Sequence, residues 1–202
     1  MASIIYRSPL LYHCVMRTLH GRHFQDRYLA VAAEVPEGAE VVELCAGDAW
    51  LYRHFLRPKG VKYIGLDNSP QFVQAAKGRG LDIRIHDAFR DSVPEADVII
   101  MQASLHLFHA DVDAVMGRLL NAARQKVIIA EPIRNMSDSP NPLVSWIGRK
   151  MTTPHGDGAS HTHRYNPKTF EALMKGYSEC ERVFLEKGER EMVAVLRGRA
   201  RS

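Results

Sequence analysis

The run Val41-Val42-Glu43-Leu44-Cys45-Ala46-Gly47-Asp48-Ala49, followed by Tyr63-Ile64-Gly65-Leu66-Asp67, constrains this chain more than any other part of it. An apolar β-run ends in small residues and a helix starts at once. A second strand then ends in a carboxylate about twenty residues past the small-residue turn, the spacing at which an α/β sheet holds a nucleoside. Small residues at the first turn let a ligand approach the backbone, and the acid at the next strand end accepts hydrogen bonds from ribose hydroxyls.

A dinucleotide fingerprint would place glycines at G-x-G-x-x-G, but the matching positions are Cys45, Gly47 and Trp50, and an indole at the third point obstructs tight helix-to-strand packing. Charge also argues against phosphates. Glu43, Asp48, Asp67 and Asp87 converge on the expected site, and carboxylates beside a pyrophosphate repel it. The same acids suit a cation. S-adenosylmethionine combines an adenosine with a sulfonium and an α-amino group and has no phosphate, so an acid-rich, glycine-poor turn matches its charge.

These residues resemble the class I S-adenosylmethionine-dependent methyltransferases. The acid followed by small residues at alternate positions is represented by Glu43, Cys45, Gly47 and Ala49, with Cys45 and Ala49 standing where many relatives carry glycine. The resemblance continues through Gly65-Leu66-Asp67-Asn68-Ser69-Pro70, Asp87-Ala88-Phe89, Asp97 to Gln102 and Lys126 to Pro132, covering residues 38 to 133 in order. It implies that Cys45, Ala46 and Gly47 lie under the methionine part of the cofactor. It also implies that Asp67 with Asn68 binds the ribose, that Asp87 and Ala88 hold the adenine edge, and that the Met101, Gln102 and Ala103 backbone meets the amino group. Asp48 has two readings, a cofactor contact or a cap for the following helix.

The implied fold is α/β: a Rossmann-like, doubly wound sheet of seven strands, mostly parallel, with a C-terminal antiparallel hairpin and helices on both faces. The expected organisation is one domain. Residues 1–37 form a helical cap, 38–132 the cofactor-binding core, 133–165 a substrate lid insertion, and 166–202 the last helix and the hairpin. Helical spacing predicts helices over 9–20 and 23–35, and Tyr6, Tyr12 and Arg22 are either cap packing or site-facing groups. Strands are predicted at 41–46, 61–66, 81–86, 97–102 and 126–131. Ser69 before Pro70 and Asn166 before Pro167 read as helix starts, and Asp111 as another cap. Arg182 to Leu185 and Met192 to Leu196 flank a turn and give the hairpin.

Composition fits a soluble globular domain, with 46% hydrophobic residues and a net charge of only +4. No apolar run approaches the ~20 residues of a membrane span. Cys14, Cys45 and Cys180 are scattered and odd in number, which suits free thiols in the cytoplasm. No basic stripe interleaved with aromatics signals a nucleic-acid partner, and Arg197 to Arg201 reads as a frayed terminus.

Substrate identity should sit in two places. Ser104-Leu105-His106-Leu107-Phe108-His109 follows the fourth strand, and His106 is placed either to take a proton from a hydroxyl or to serve as a structural turn residue. The insertion carries Leu143, Trp146 and Ile147, read as core packing, pocket wall or a transient membrane-surface contact, and then His155, His161 and His163. His161 and His163 are candidate bases or acceptor contacts, or else belong to an exposed glycine-rich loop with no chemistry. Their spacing fits no closed zinc pattern, so no metal is expected. The expected activity is methyl transfer from S-adenosylmethionine to a small, partly apolar acceptor such as a lipid, quinone or secondary metabolite, at oxygen rather than nitrogen or carbon. The rivals are a nucleic-acid or protein methyltransferase, a non-catalytic binding module and, weakest, a nicotinamide oxidoreductase. The sequence is silent on oligomeric state.

Overall fold

Alternation of apolar β-runs with amphipathic segments builds one seven-stranded sheet. The computed structural model describes residues 23–133 and 163–200. The strands are β1 (Glu40–Leu44), β2 (Lys62–Asp67), β3 (Ile83–Ile85), β4 (Ala96–Gln102), β5 (Ala123–Pro132), β6 (Cys180–Leu185) and β7 (Glu191–Arg197). The helices are α1 (Asp26–Ala33), α2 (Pro70–Lys77), α3 (Val112–Ala122) and α4 (Pro167–Lys175), with a helical turn at 52–59 and a 3-10 turn at Leu105–Asp111. Strand order is β3-β2-β1-β4-β5-β7-β6, and β7 runs antiparallel to both β5 and β6.

Strand order reverses at β1. The chain steps outward through β2 and β3, then returns to place β4 on the other side of β1. The turns leaving β1 and β4 therefore diverge and open a crevice at the carboxyl edge, where open α/β sheets bind their ligands.

Successive residues of a strand point to opposite faces, and here both faces are buried. Val41, Val98, Ile100, Ile128 and Val193 pack with Tyr28 and Val31 of α1, Leu56, and Val73 and Ala76 of α2. On the other face Val42, Leu44, Ile99, Met101, Val127 and Ile129 pack with Met116 and Leu119 of α3 and Phe170 and Met174 of α4. Among the described residues no helix is long and apolar enough to cross a membrane.

Several local expectations are corrected. The strand expected at 81–86 shortens to three residues, because β3 is an edge strand paired only with β2 and exposing Arg84 and Ile85. Asn166 caps α4 through a reciprocal box with Thr169. Pro70 does open α2, but the Ser69 side chain bonds Gln71 instead of capping, while its N–H donates to Asp67. Asp111 does not cap α3, since that helix is entered from a 3-10 turn that already supplies a preceding helical turn. The helix expected at 9–20, Tyr6, Tyr12, Arg22, Trp146, His155 and His161 lie outside the described residues.

Gly65 in β2 is fixed by space. A Cβ there would stand 2.9 Å from Ile83 Cγ1 and 3.0 Å from the Tyr63 hydroxyl, which is donated to Glu43. Gly65→Ala should therefore cost about 1–3 kcal/mol, read as a lowered urea midpoint with an unchanged m-value. An unchanged midpoint would show that the Ile83–Tyr63 contact yields freely.

Candidate active site at the carboxyl edge of the sheet

The turn leaving β1 holds left-handed backbone at alternate positions: Cys45 (φ 55°), Gly47 (φ 57°) and Ala49 (φ 56°). For the two residues with a Cβ this conformation costs about 1–2 kcal/mol each, so the turn must be held from outside. Asp67 supplies the hold. Its Oδ2 accepts the Gly47 N–H at 2.8 Å and its Oδ1 accepts the Ser69 N–H at 2.8 Å, while the Ala46 N–H donates to the Leu66 carbonyl at 3.1 Å. A Cβ on Gly47 would meet nothing within 4 Å, so the turn faces open space. Alternating backbone of this kind turns N–H groups toward a bound group and lets it approach the main chain closely. Both features fit the methionine end of S-adenosylmethionine.

Three acids gather near this turn and a fourth follows β3, each in a different state. Glu43 is buried, accepts the Tyr63 hydroxyl at 2.6 Å, and is pushed up to about 8, first by burial and then by the charges of Asp48 and Asp67. Asp48 is paired with Arg53 at 2.8 Å and Arg79 at 3.5 Å. Burial also raises Asp67, against the two backbone N–H groups that lower it. Asp87, after β3, accepts the Phe89 N–H at 2.9 Å and remains partly exposed. Beside it, the Ala88 carbonyl accepts from Arg118 at 2.7 Å, and Asn68 is exposed. The Cys45 thiol is pushed up to about 12 by burial and by the Asp67 charge, which leaves it inert as a nucleophile.

At the end of β4, Met101 is fully buried and paired with Leu44 on one side and Ile129 on the other. The Gln102 side chain turns away from the crevice, donating to Glu191 at 3.2 Å and to the Arg27 carbonyl at 3.4 Å, beside the buried Arg27–Glu191 ion pair. Ala103 is again left-handed (φ 54°), and its N–H donates to the Ala130 carbonyl at 2.7 Å. That kink directs the following 3-10 turn over the end of β5.

There the buried Glu131 carboxylate takes the Leu105 N–H on Oε2 at 2.8 Å and His106 Nδ1 on Oε1 at 2.5 Å. A carboxylate only accepts, so Nδ1 is the donor, and in the neutral ring this tautomer leaves Nε2 as the acceptor. His163 lies flat on His109, with centroids 3.4 Å apart and an interplanar angle of 3°, and Tyr165 stands edge-on to His163 at 4.7 Å. The structure thus brings His106 and His163 into one neighbourhood with Glu131 and Tyr165. Among the described residues no group of three or more His, Cys, Asp and Glu side chains could hold a metal ion.

Sequence reasoning did not assign Glu131, Tyr165 or the Tyr63–Glu43 pair. The signal for Glu131 was present: a lone carboxylate closing the apolar run Val127-Ile128-Ile129-Ala130 must be buried with a partner.

Glu43 makes stability depend on pH. Folded, it stays protonated to about pH 8, whereas unfolded it ionises near its ordinary value of 4.5. The folded state binds more protons between those values, so the contribution is whole below 4.5, declines as pH rises toward 8 and is lost above it. Glu43→Gln should flatten this slope and gain on the wild type by a few kcal/mol, order of magnitude, between pH 5 and 8.5 in urea denaturation. Parallel pH profiles would contradict the assignment.

No protein-family profile matches the sequence, and no curated protein sequence matches it. Solved structures do. Human N-acetylserotonin methyltransferase in complex with S-adenosylmethionine aligns with a TM-score of 0.64 at 18% identity, over 96% of this chain and 57% of that one. The mitomycin 7-O-methyltransferase MmcR aligns with a TM-score of 0.64 at 19% identity, over 96% of this chain and 60% of that one. An S-adenosylmethionine-dependent methyltransferase from Aquifex aeolicus aligns with a TM-score of 0.62 at 13% identity, over 91% of this chain and 97% of that one. The chain spans less than two thirds of the length of the first two and nearly all of the third. At these identities the likeness concerns architecture: the chain has the seven-stranded, Rossmann-like fold of the class I S-adenosylmethionine-dependent methyltransferases.

Proposed function

We propose that the protein is an S-adenosylmethionine-dependent methyltransferase that methylates a hydroxyl of a small, partly apolar acceptor, with His106 as general base. The observation that carries this reading is the His106–Glu131 pair at the end of β4 and β5, on the same sheet edge as the strained, open turn at 45–49. Two of the structural neighbours are named as methyltransferases of small molecules, one of them as an O-methyltransferase, which agrees with this chemistry.

The cofactor would lie along the crevice. Cys45, Ala46 and Gly47 would face its methionine part, and Asp67, whose oxygens each retain an acceptor site beyond the backbone N–H already bound, would take the ribose hydroxyls beside Asn68. Asp87 and Ala88 would edge the adenine, and the backbone at Met101 to Ala103 the amino group. Asp67 and Asp87 suit a cationic ligand, and Arg53 and Arg79 offset the charge of Asp48. Once bound, S-adenosylmethionine supplies a methyl group already activated on a sulfonium.

The remaining work falls to the chain. Holding an acceptor oxygen in line and excluding water provides most of the acceleration in a displacement of this kind. A hydroxyl must also lose its proton, and His106 Nε2 is the group placed to take it. Glu131 fixes the tautomer and stabilises the imidazolium that forms, while its second oxygen, bonded to the Leu105 N–H, keeps the carboxylate from rotating. His161 remains a candidate acceptor contact from the insertion, as does Asp48 at the cofactor.

The test is formation of S-adenosylhomocysteine over a panel of hydroxylated acceptors. His106→Ala should slow turnover by about 10²–10⁴-fold while S-adenosylhomocysteine affinity stays within about twofold. Glu131→Gln should lose about 10–10²-fold in turnover with little change in S-adenosylhomocysteine affinity. Asp67→Ala should instead weaken cofactor binding by about 1.5–3 kcal/mol. An unaltered rate in His106→Ala would remove the base from this account.

A further inference from the structure

The hydroxyl of Tyr165 and Nε2 of His163 are both buried, and among the described residues neither has a hydrogen-bond partner. Tyr165 is only 3% exposed, and its ring is wedged edge-on between His163 at 4.7 Å and Phe170 at 5.8 Å, so it cannot swing out to reach water. An orphaned hydroxyl in such a place costs about 1–3 kcal/mol and persists where something outside the fold satisfies it. The His163 ring is fixed by its stack on His109. Burial and the neighbouring His109, His106 and Arg164 lower its pKa, so near neutral pH Nε2 belongs to an uncharged imidazole. Glu131, the partner of His106, acts electrostatically on both Tyr165 and His163, which places the orphaned pair beside the proposed base.

Resting on the methyltransferase reading above, we infer that Tyr165 and His163 anchor the acceptor, and that the group they hold is an uncharged hydroxyl on a flat aromatic ring, next to the hydroxyl presented to His106. A hydroxyl is the simplest group that answers both atoms, since it accepts from the Tyr165 O–H and donates to the His163 lone pair. A carboxylate would satisfy Tyr165 but would meet the buried Glu131 charge, and an ammonium would satisfy His163 but leave Tyr165 unanswered. A flat ring suits the aromatic surface at hand: Phe108, within the 3-10 turn that carries His106, packs in the same cluster as Tyr165, and the exposed Phe89 ring lies 4.7 Å from it.

The probes are catechol and phenol, titrated calorimetrically into the full chain with and without saturating S-adenosylhomocysteine. The wild type should bind catechol at least ~10-fold more tightly than phenol, one satisfied hydrogen-bond pair. Tyr165→Phe should bring the two within about twofold, and His163→Phe, which keeps a flat ring on His109, should erode the preference as well. Because the free protein loses an unsatisfied hydroxyl, Tyr165→Phe should melt at the wild-type temperature or above. Equal binding of catechol and phenol by the wild type overturns the inference. So does a Tyr165→Phe variant that keeps the preference, or one that melts lower with the preference intact, as a purely structural tyrosine would. Catechol selectivity without any S-adenosylhomocysteine binding would keep the anchor and overturn the methyltransferase reading.

Discussion

Asp67 joins two turns that would not otherwise hold their shape. Its carboxylate takes one N–H from the turn after β1 and one from the turn after β2, and the first of these turns carries left-handed backbone at two residues that disfavour it. The strain is sustainable because strand pairing fixes the distance between the turns: Leu44 lies opposite Leu66, and each strand is anchored in the sheet on its other side. A backbone so held needs no reorganisation when a ligand arrives, which is the general advantage of strained but over-determined loops at binding sites.

Burial on both faces of the sheet explains where the chemistry lies. Apolar residues fill both faces of β1, β4 and β5, so ionisable groups in these strands survive only near the ends and only with partners. Glu43 has Tyr63, Glu131 has His106 and the Leu105 N–H, and Glu191 has Arg27 and Gln102. The third of these networks braces α1 against β4 and β7 behind the crevice. The first two stand near the carboxyl edge of the sheet, one by the turn at 45–49 and one by the turn after β4.

The sheet and the cofactor turn were legible in the sequence because they rest on local signals: β-runs, a small-residue turn, an acid after the next strand, and a hairpin at the end. Strand ends were less so. Three residues of β3 pair where six were expected, because an edge strand has a single neighbour to set its length. Ser69 and Asp111 make no side-chain cap for different reasons: the Ser69 side chain bonds Gln71, and Asp111 continues a 3-10 turn into α3. His106 was singled out by its place after β4, whereas the contacts of Glu131 with His106 and of Tyr165 with His109 span 25 residues or more, and no spacing rule links them.

The central claim is that the turn at 45–49, held by Asp67, is a S-adenosylmethionine site. Calorimetric titration with S-adenosylmethionine, S-adenosylhomocysteine and NAD addresses it directly. The account predicts micromolar binding of the first two and none of NAD. Binding of NAD, or no binding of either sulfur compound, would contradict it.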